Sequence, residues 1–197
     1  KIIEEEEDSF FLWCHFPHSL IGRNGYGSDI DLFDQIVGNV MDNFDGHIYV
    51  TGDHGHMNGE KGIPVYGSHV YEGAVKIPLV GPDLFNKKVV EQPLSTIQLK
   101  NIIFDHKIIE QEFVISDSRY FIQDDRRLMI RKEKYKYIYN KKYDSEELYD
   151  LEFDPNENMN LLVEKLYDRN RNKFYYLEEI YYYPFWNDAE KAFFDLK

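Results

Sequence analysis

Three side chains in Val50-Thr51-Gly52-Asp53-His54-Gly55-His56 could act together: the Asp53 carboxylate and the His54 and His56 imidazoles. A hard oxygen donor beside borderline nitrogen donors suits a divalent cation, and Gly52 and Gly55 keep the turn small. The turn follows an apolar run.

The elements around it follow from periodicity. Residues 10–16, Phe-Phe-Leu-Trp-Cys-His-Phe, read as a short, fully buried strand, which Pro17-His18 breaks. Residues 22–27 hold three glycines and read as a loop. Ser28 is placed as an N-cap, with Asp31 at the capping-box position. Ile30, Phe33, Ile36, Val37, Val40, Met41 and Phe44 follow at helical spacing, and Asp45-Gly46 ends that helix. Residues 47–51 read as the next buried strand. The order strand, loop, helix, strand puts the Asp-His turn at the carboxyl end of the second strand. In open α/β sheets that is where ligands bind.

Residues 59–67 read as a glycine-punctuated loop, and residues 75–80 as a short strand whose Pro78 favours an edge or a strand start. Residues 93–104 read as a helix. From about Val114 the texture changes. Residues 127–132 and 134–140 read as an antiparallel hairpin, the second run alternating Tyr with Lys. Residues 148–151 follow as a short strand, 154–157 as a turn, and 161–183 as mostly helix, ended near Pro184. The expected fold is α/β. Residues 1–113 form part of a mostly parallel sheet flanked by helices. Residues 114–197 form a small α+β subdomain with an antiparallel hairpin and a long helix.

Size and charge bound the function. A chain of 197 residues can bury a sizeable core, and 16 Tyr and 14 Phe argue against long disorder. A formal net charge of −13 argues against general nucleic-acid binding. It also repels anions at long range, so an anion site here needs local cations or a metal. One cysteine, Cys14, excludes an intramolecular disulfide. No apolar run is long enough to span a bilayer. Lys1-Ile2-Ile3 followed by Glu4 to Glu7 is no signal peptide, and the expectation is that the sequence begins inside a longer protein.

Three motifs in register carry a resemblance. "TGDHGHMNGEKG", "VYEGAVKIPLVGP" and "KYKYIYN" with "EELYDLEFDPNENMNL" resemble the carboxyl-terminal half of the sulfatase family, within the alkaline-phosphatase superfamily. Order and spacing hold over roughly residues 10–163, including "FFLWCHFPH", which matches a Phe-rich family strand ending in Pro-His. The resemblance implies an incomplete alkaline-phosphatase-like fold and metal-dependent hydrolysis of a sulfuric ester, from a small molecule or a glycan. Phosphodiester or phosphonate hydrolysis, or phosphotransfer, is the alternative within the superfamily. Asp53 and His54 match the family's second pair of metal ligands. Calcium is the usual metal, and an imidazole in place of asparagine leaves manganese or zinc open. His18, or failing it His15, matches a histidine that hydrogen-bonds the substrate's anionic group.

Each residue has a plainer alternative. Asp53 could be a turn aspartate, His18 a loop residue, and His15 a satisfied core histidine inside its strand. His56 matches no family ligand and reads as an exposed loop histidine. The family often carries a sulfate-binding lysine or histidine before its Tyr-Glu pair; here stands Tyr66-Gly67-Ser68-His69-Val70. His69 could replace that lysine as a cationic donor, and Tyr66 could donate through its hydroxyl. Lys61 reads as solvated, and Lys76 and Asp34 as structural. Cys14 is rejected as nucleophile: Cys14-His15-Phe16-Pro17 lacks the Cys/Ser-x-Pro-x-Arg spacing and its arginine, and the cysteine reads as buried packing.

No Cys/Ser-x-Pro-x-Arg and no early Asp-Asp pair occurs in the 197 residues. The catalytic nucleophile is therefore expected outside them, in a missing amino-terminal half or a partner chain, and this chain alone is expected to be inactive. The reading from another class is a non-catalytic binding or assembly chain that keeps the fold.

Overall fold

In the run from Arg126 to Asn140, two stretches of strand-forming residues meet at a polar turn, and side chains along each point alternately to opposite faces. A computed structural model of the protein describes residues 10–16, 26–64, 66–82, 89–120, 125–162, 166–168 and 173–175. It forms the expected hairpin and extends it to a four-stranded antiparallel sheet. The strands are β3 (Val114–Tyr120), β4 (Asp125–Lys132), β5 (Tyr135–Asn140) and β6 (Ser145–Asp150), in that spatial order.

Both faces of this sheet are covered. Ile130, Tyr137 and Leu148 are register partners across β4, β5 and β6, and they form one core with Phe113, Leu161 and Leu162. Met129, Ile138 and Tyr149 point to the other face, where Val70, Tyr71 and Val75 pack on them. That second face therefore carries the chain segment that follows the Asp-His turn.

The segment before the sheet is short in regular structure. β1 (Val50–Thr51) leads into the Asp-His turn, α2 (Glu72–Val75) follows the loop, and β2 (Leu79–Val80) pairs back with β1. A 3-10 turn (Thr96–Gln98) runs into α3 (Leu99–Phe104), so the helix expected over residues 93–104 forms only in its second half. Ser95 caps it, accepting a hydrogen bond from the Ile97 amide.

The sheets correct the expectation of a mostly parallel arrangement. β1 and β2 pair antiparallel, Val50 opposite Val80 and Thr51 opposite Leu79, and every sheet among the described residues is antiparallel. An apolar run reports burial and says nothing of direction. The chain between β1 and β2 returns through loops and one helical turn, which suits an antiparallel pair as well as a crossover.

Two further expectations are corrected. Residues 166–168 and 173–175 are strands, β7 (Leu166–Asp168) and β8 (Lys173–Tyr175), paired antiparallel across Asp168 and Lys173. The long helix therefore does not run through residues 161–183. In sequence the polar Arg-Asn-Arg-Asn run at 169–172, between Tyr- and Phe-bearing runs, is a turn signal that competes with the helical spacing. Residues 10–16, expected as a buried strand, have no regular structure and are exposed, His15 and Cys14 among them. A strand needs a partner for its backbone groups, and apolar composition cannot supply one.

Contacts divide the chain into Lys1–Ile48 and Tyr49–Lys197. In the first unit, α1 (Tyr26–Asn43) forms where the spacing predicts it, starting two residues before Ser28. Phe16 packs edge-on against Phe33 at 5.3 Å between ring centres, and the Phe10 ring lies tilted against Phe44 at 5.9 Å. Among the described residues no helix is long and apolar enough to cross a membrane.

Candidate metal centre

Asp53 and His54 sit just past β1, on a turn tied down at several points. Thr51 Oγ1 donates to the Pro78 carbonyl at 2.9 Å, which holds the strand end to the segment before β2. Gly55 N–H donates to the Ala74 carbonyl at 2.9 Å. A Cβ on residue 55 would lie 2.2 Å from the Gly73 carbonyl oxygen, so only glycine lets the turn pass this close to α2.

Each candidate ligand uses one polar atom to fix its orientation and leaves the other. Asp53 Oδ1 accepts from the His54 amide at 2.9 Å, and His54 Nδ1 lies 2.8 Å from the Gly55 carbonyl. A carbonyl only accepts, so Nδ1 carries a proton, and in the neutral imidazole Nε2 holds the lone pair. A metal-binding histidine commonly donates its second ring nitrogen in this way. The remaining pair, His54 Nε2 and Asp53 Oδ2, is 3.7 Å apart, and both side chains are solvent-exposed. This donor set fits one divalent cation on chemical grounds. It supplies two ligands only: among the described residues no group of three or more His, Cys, Asp or Glu is placed to hold a metal.

Aromatic rings close one side of the turn. The Tyr66 ring stacks on the His54 imidazole, 4.1 Å between centres and 15° between planes. His56, half-buried, lies 5.6 Å from the same tyrosine.

His69 lies three residues beyond Tyr66, beside α2. Its Nδ1 is 2.8 Å from Ser68 Oγ, and its ring stacks on Tyr71 at 5.6 Å. Burial, then the Arg127 guanidinium, push its pKa below the ordinary 6.5. At neutral pH it is a neutral imidazole, able to donate one N–H but not a cation. His15 is exposed and belongs to the other unit, and His18 lies outside the described residues.

The residues that hold this segment were not singled out in the sequence. One row across the sheet, Ser118 on β3 and Arg127 on β4, grips two carbonyls of the loop. Ser118 Oγ donates to Gly67 at 2.6 Å, and Arg127 donates to Ser68 while pairing with Asp125 at 2.8 Å. A second row, Arg131, Lys136 and Tyr149, lies under Tyr71-Glu72. Two cations side by side repel. Glu72 separates them, one oxygen 3.0 Å from Arg131 and the other 3.0 Å from Lys136.

Glu157 completes the cluster. One of its oxygens pairs with Lys136 at 2.9 Å, and the other accepts the Glu72 amide at 2.7 Å, satisfying an open N–H at the start of α2. Burial pushes the Glu157 carboxyl above its ordinary range, and Lys136 opposes that shift. Lys61 is exposed, as expected, and also donates to the Glu157 carbonyl and lies 4.6 Å from the Tyr71 ring centre. Tyr71 and Tyr149 both donate to Glu147, and burial with that carboxylate raises both phenol pKa values. The motifs "YEG" and "DPNEN" thus meet in one buried charge cluster, with the exposed Lys61 of "GEKG" at its edge. The only signal for it was their joint presence.

No protein-family model and no curated protein matches the chain. Solved structures do. A provisionally assigned sulfatase from Bacteroides thetaiotaomicron VPI-5482 superposes with a TM-score of 0.52 at 18% identity, over 69% of this chain and 38% of that one. The chain has a sulfatase-like fold. A second structure, described as a 2-O GAG sulfatase, gives a TM-score of 0.48 at 18% identity, over 69% of this chain and 36% of that one. The sulfatase-like portion spans little more than a third of the length of either.

Proposed function

We propose that the chain is the carboxyl-terminal, metal-holding portion of a sulfatase-type hydrolase, acting on a small-molecule or glycan sulfate ester. One observation carries this reading: orientation of Asp53 and His54 by their other atoms leaves Oδ2 and Nε2 paired at 3.7 Å. The sulfatase-like fold supports it. Residues 1–113 are taken as the end of the α/β core and 114–197 as a smaller subdomain, beginning at the strand Val114–Tyr120.

Asp53 and His54 would hold one end of a divalent cation, calcium first, with manganese or zinc also suited to the imidazole. When bound, such a metal neutralises charge on an ester oxygen and lowers the pKa of a nucleophile. The chain's own residues bind and orient. His69, kept neutral, donates a single N–H toward an anionic oxygen, and the Ser118–Arg127 row fixes the loop from which it does so. The resemblance also offers His18, or failing it His15, as a contact to the substrate's anionic group. The nucleophile and the other metal ligands lie outside these residues, in an amino-terminal half or a partner chain.

The test is reconstitution. The chain is mixed or co-expressed with a polypeptide carrying a Cys/Ser-x-Pro-x-Arg segment from the same precursor, then assayed on aryl sulfate and aryl phosphodiester substrates. Sulfate-ester turnover that disappears in Asp53→Asn is the expected result. Turnover of phosphodiesters alone moves the assignment to that branch. A stable assembly with no turnover on either substrate contradicts the enzyme reading and favours a binding chain.

A further inference from the structure

Tyr66 is half-exposed on a loop, where a tyrosine ring is ordinarily free to swing, yet it lies flat on the His54 imidazole. Two features remove that freedom. The next residue, Gly67, takes a left-handed conformation (φ 79°), and its carbonyl is held by Ser118 Oγ. The residue after it, Ser68, has its carbonyl held by Arg127. The four-stranded sheet therefore fixes the loop, and the loop presents the Tyr66 face.

His54 needs such a face. Its hydrogen bond to the Gly55 carbonyl selects which ring nitrogen carries the proton, but a single exposed bond does not stop the ring from tilting out of that contact, which opens the other tautomer. A parallel ring at 4.1 Å removes the tilt. Together the two contacts define both the plane of the imidazole and the direction of its Nε2, which faces Asp53 Oδ2.

We propose that Tyr66 is a positioning residue for the metal centre, acting through its ring face to hold His54 Nε2 toward Asp53. The inference rests on the metal reading above. It assigns no role to the phenol hydroxyl, so phenylalanine should serve as well as tyrosine.

The experiment titrates the full chain with Mn2+ and with Zn2+ by calorimetry, in wild type, Tyr66→Phe, Tyr66→Leu and Asp53→Asn. It also records the His54 ring nitrogens by 15N NMR without metal. Tyr66→Leu should weaken binding roughly tenfold, the scale of losing a group that orients a metal ligand. Tyr66→Phe should stay within about threefold of wild type, the scale of a minor ring-stacking change. In the metal-free chain the wild type and Tyr66→Phe should show the Nδ1–H form of His54, and Tyr66→Leu a mixture of the two tautomers. Wild-type affinity and an unchanged tautomer in Tyr66→Leu, with binding lost in Asp53→Asn, overturn the role of Tyr66 and leave the metal reading standing. Loss in Tyr66→Phe equal to that in Tyr66→Leu also overturns it, because the hydroxyl is then what matters. If no variant binds metal, the metal reading fails, and the NMR alone decides whether Tyr66 orients His54.

Discussion

The two units differ in what they bury: no described residue of Lys1–Ile48 is buried, and the apolar core and the buried charges all lie in Tyr49–Lys197. In Lys1–Ile48, large apolar side chains face solvent: Trp13 is 64% exposed and Met41 61%, with Phe11, Ile30 and Leu32 similar. In Tyr49–Lys197, Lys136 and Glu157 are fully buried in the charge cluster under α2. The difference shows what apolar and charged patterns report. A pattern marks what a segment can do with a neighbour, and the neighbour decides whether it does so. Phe, Leu and Trp at residues 10–16 have the composition of a buried strand, but every side chain there is exposed, Phe10 and Phe16 included despite their contacts with Phe44 and Phe33. Lys136 has the look of a solvated hairpin lysine, yet Glu72 and Glu157 bring it inside.

The contrast is broken most severely at Lys136. Lys136→Met leaves Glu72 and Glu157 buried with one cation fewer. Loss of one partner of a buried ion pair costs about 3–5 kcal/mol, which urea unfolding should read as a large fall in midpoint. Adding Glu157→Gln to the same chain should recover part of that loss. A change below about 1 kcal/mol in the single variant would mean that the cluster is not dry.

Gly55→Ala comes next. Its Cβ meets the Gly73 carbonyl at 2.2 Å, and backbone on both sides must shift. A cost of about 2 kcal/mol is expected, with weaker metal binding because the Gly55 carbonyl orients His54. An alanine variant of wild-type stability would show that the turn and α2 are not packed as described.

His69 gives a smaller effect, visible only against pH. Its folded-state pKa is below 6.5, so between that value and 6.5 the unfolded chain holds a proton the folded chain lacks. Its contribution is present above 6.5, is lost as pH falls below 6.5, and levels off beneath the folded pKa. His69→Gln should remove that slope from the unfolding free energy. A wild-type slope of opposite sign would mean a charged, partnered His69.

The smallest effect belongs to the first unit. Met41→Lys on the solvent side of α1 should change stability by no more than about 0.5 kcal/mol. A cost several times larger would erase the contrast, since it would place that helix face in a core.

What the sequence disclosed follows the same division. Local patterns were legible: the 3.6-residue spacing placed α1, and the alternation around residues 127–140 placed β4 and β5. The Asp-His turn was legible because Gly-Asp-His-Gly concentrates its chemistry in four residues. Pairing was not legible, since strand direction depends on the path between strands; β1 with β2 and β7 with β8 show this. Nor were contacts far apart in sequence, such as Glu72 with Glu157 or Ser118 with Gly67, which need the sheet in place before they exist. His69 was identified by position, but its protonation depends on burial and on Arg127, and no local pattern carries either.

The most direct test of the central claim is a crystal of the chain grown with Mn2+ and measured for anomalous scattering. One peak is expected within bonding distance, about 2.2 Å, of both Asp53 Oδ2 and His54 Nε2, absent from Asp53→Asn crystals grown alike. A peak that touches neither atom, or none at saturating Mn2+, would contradict it.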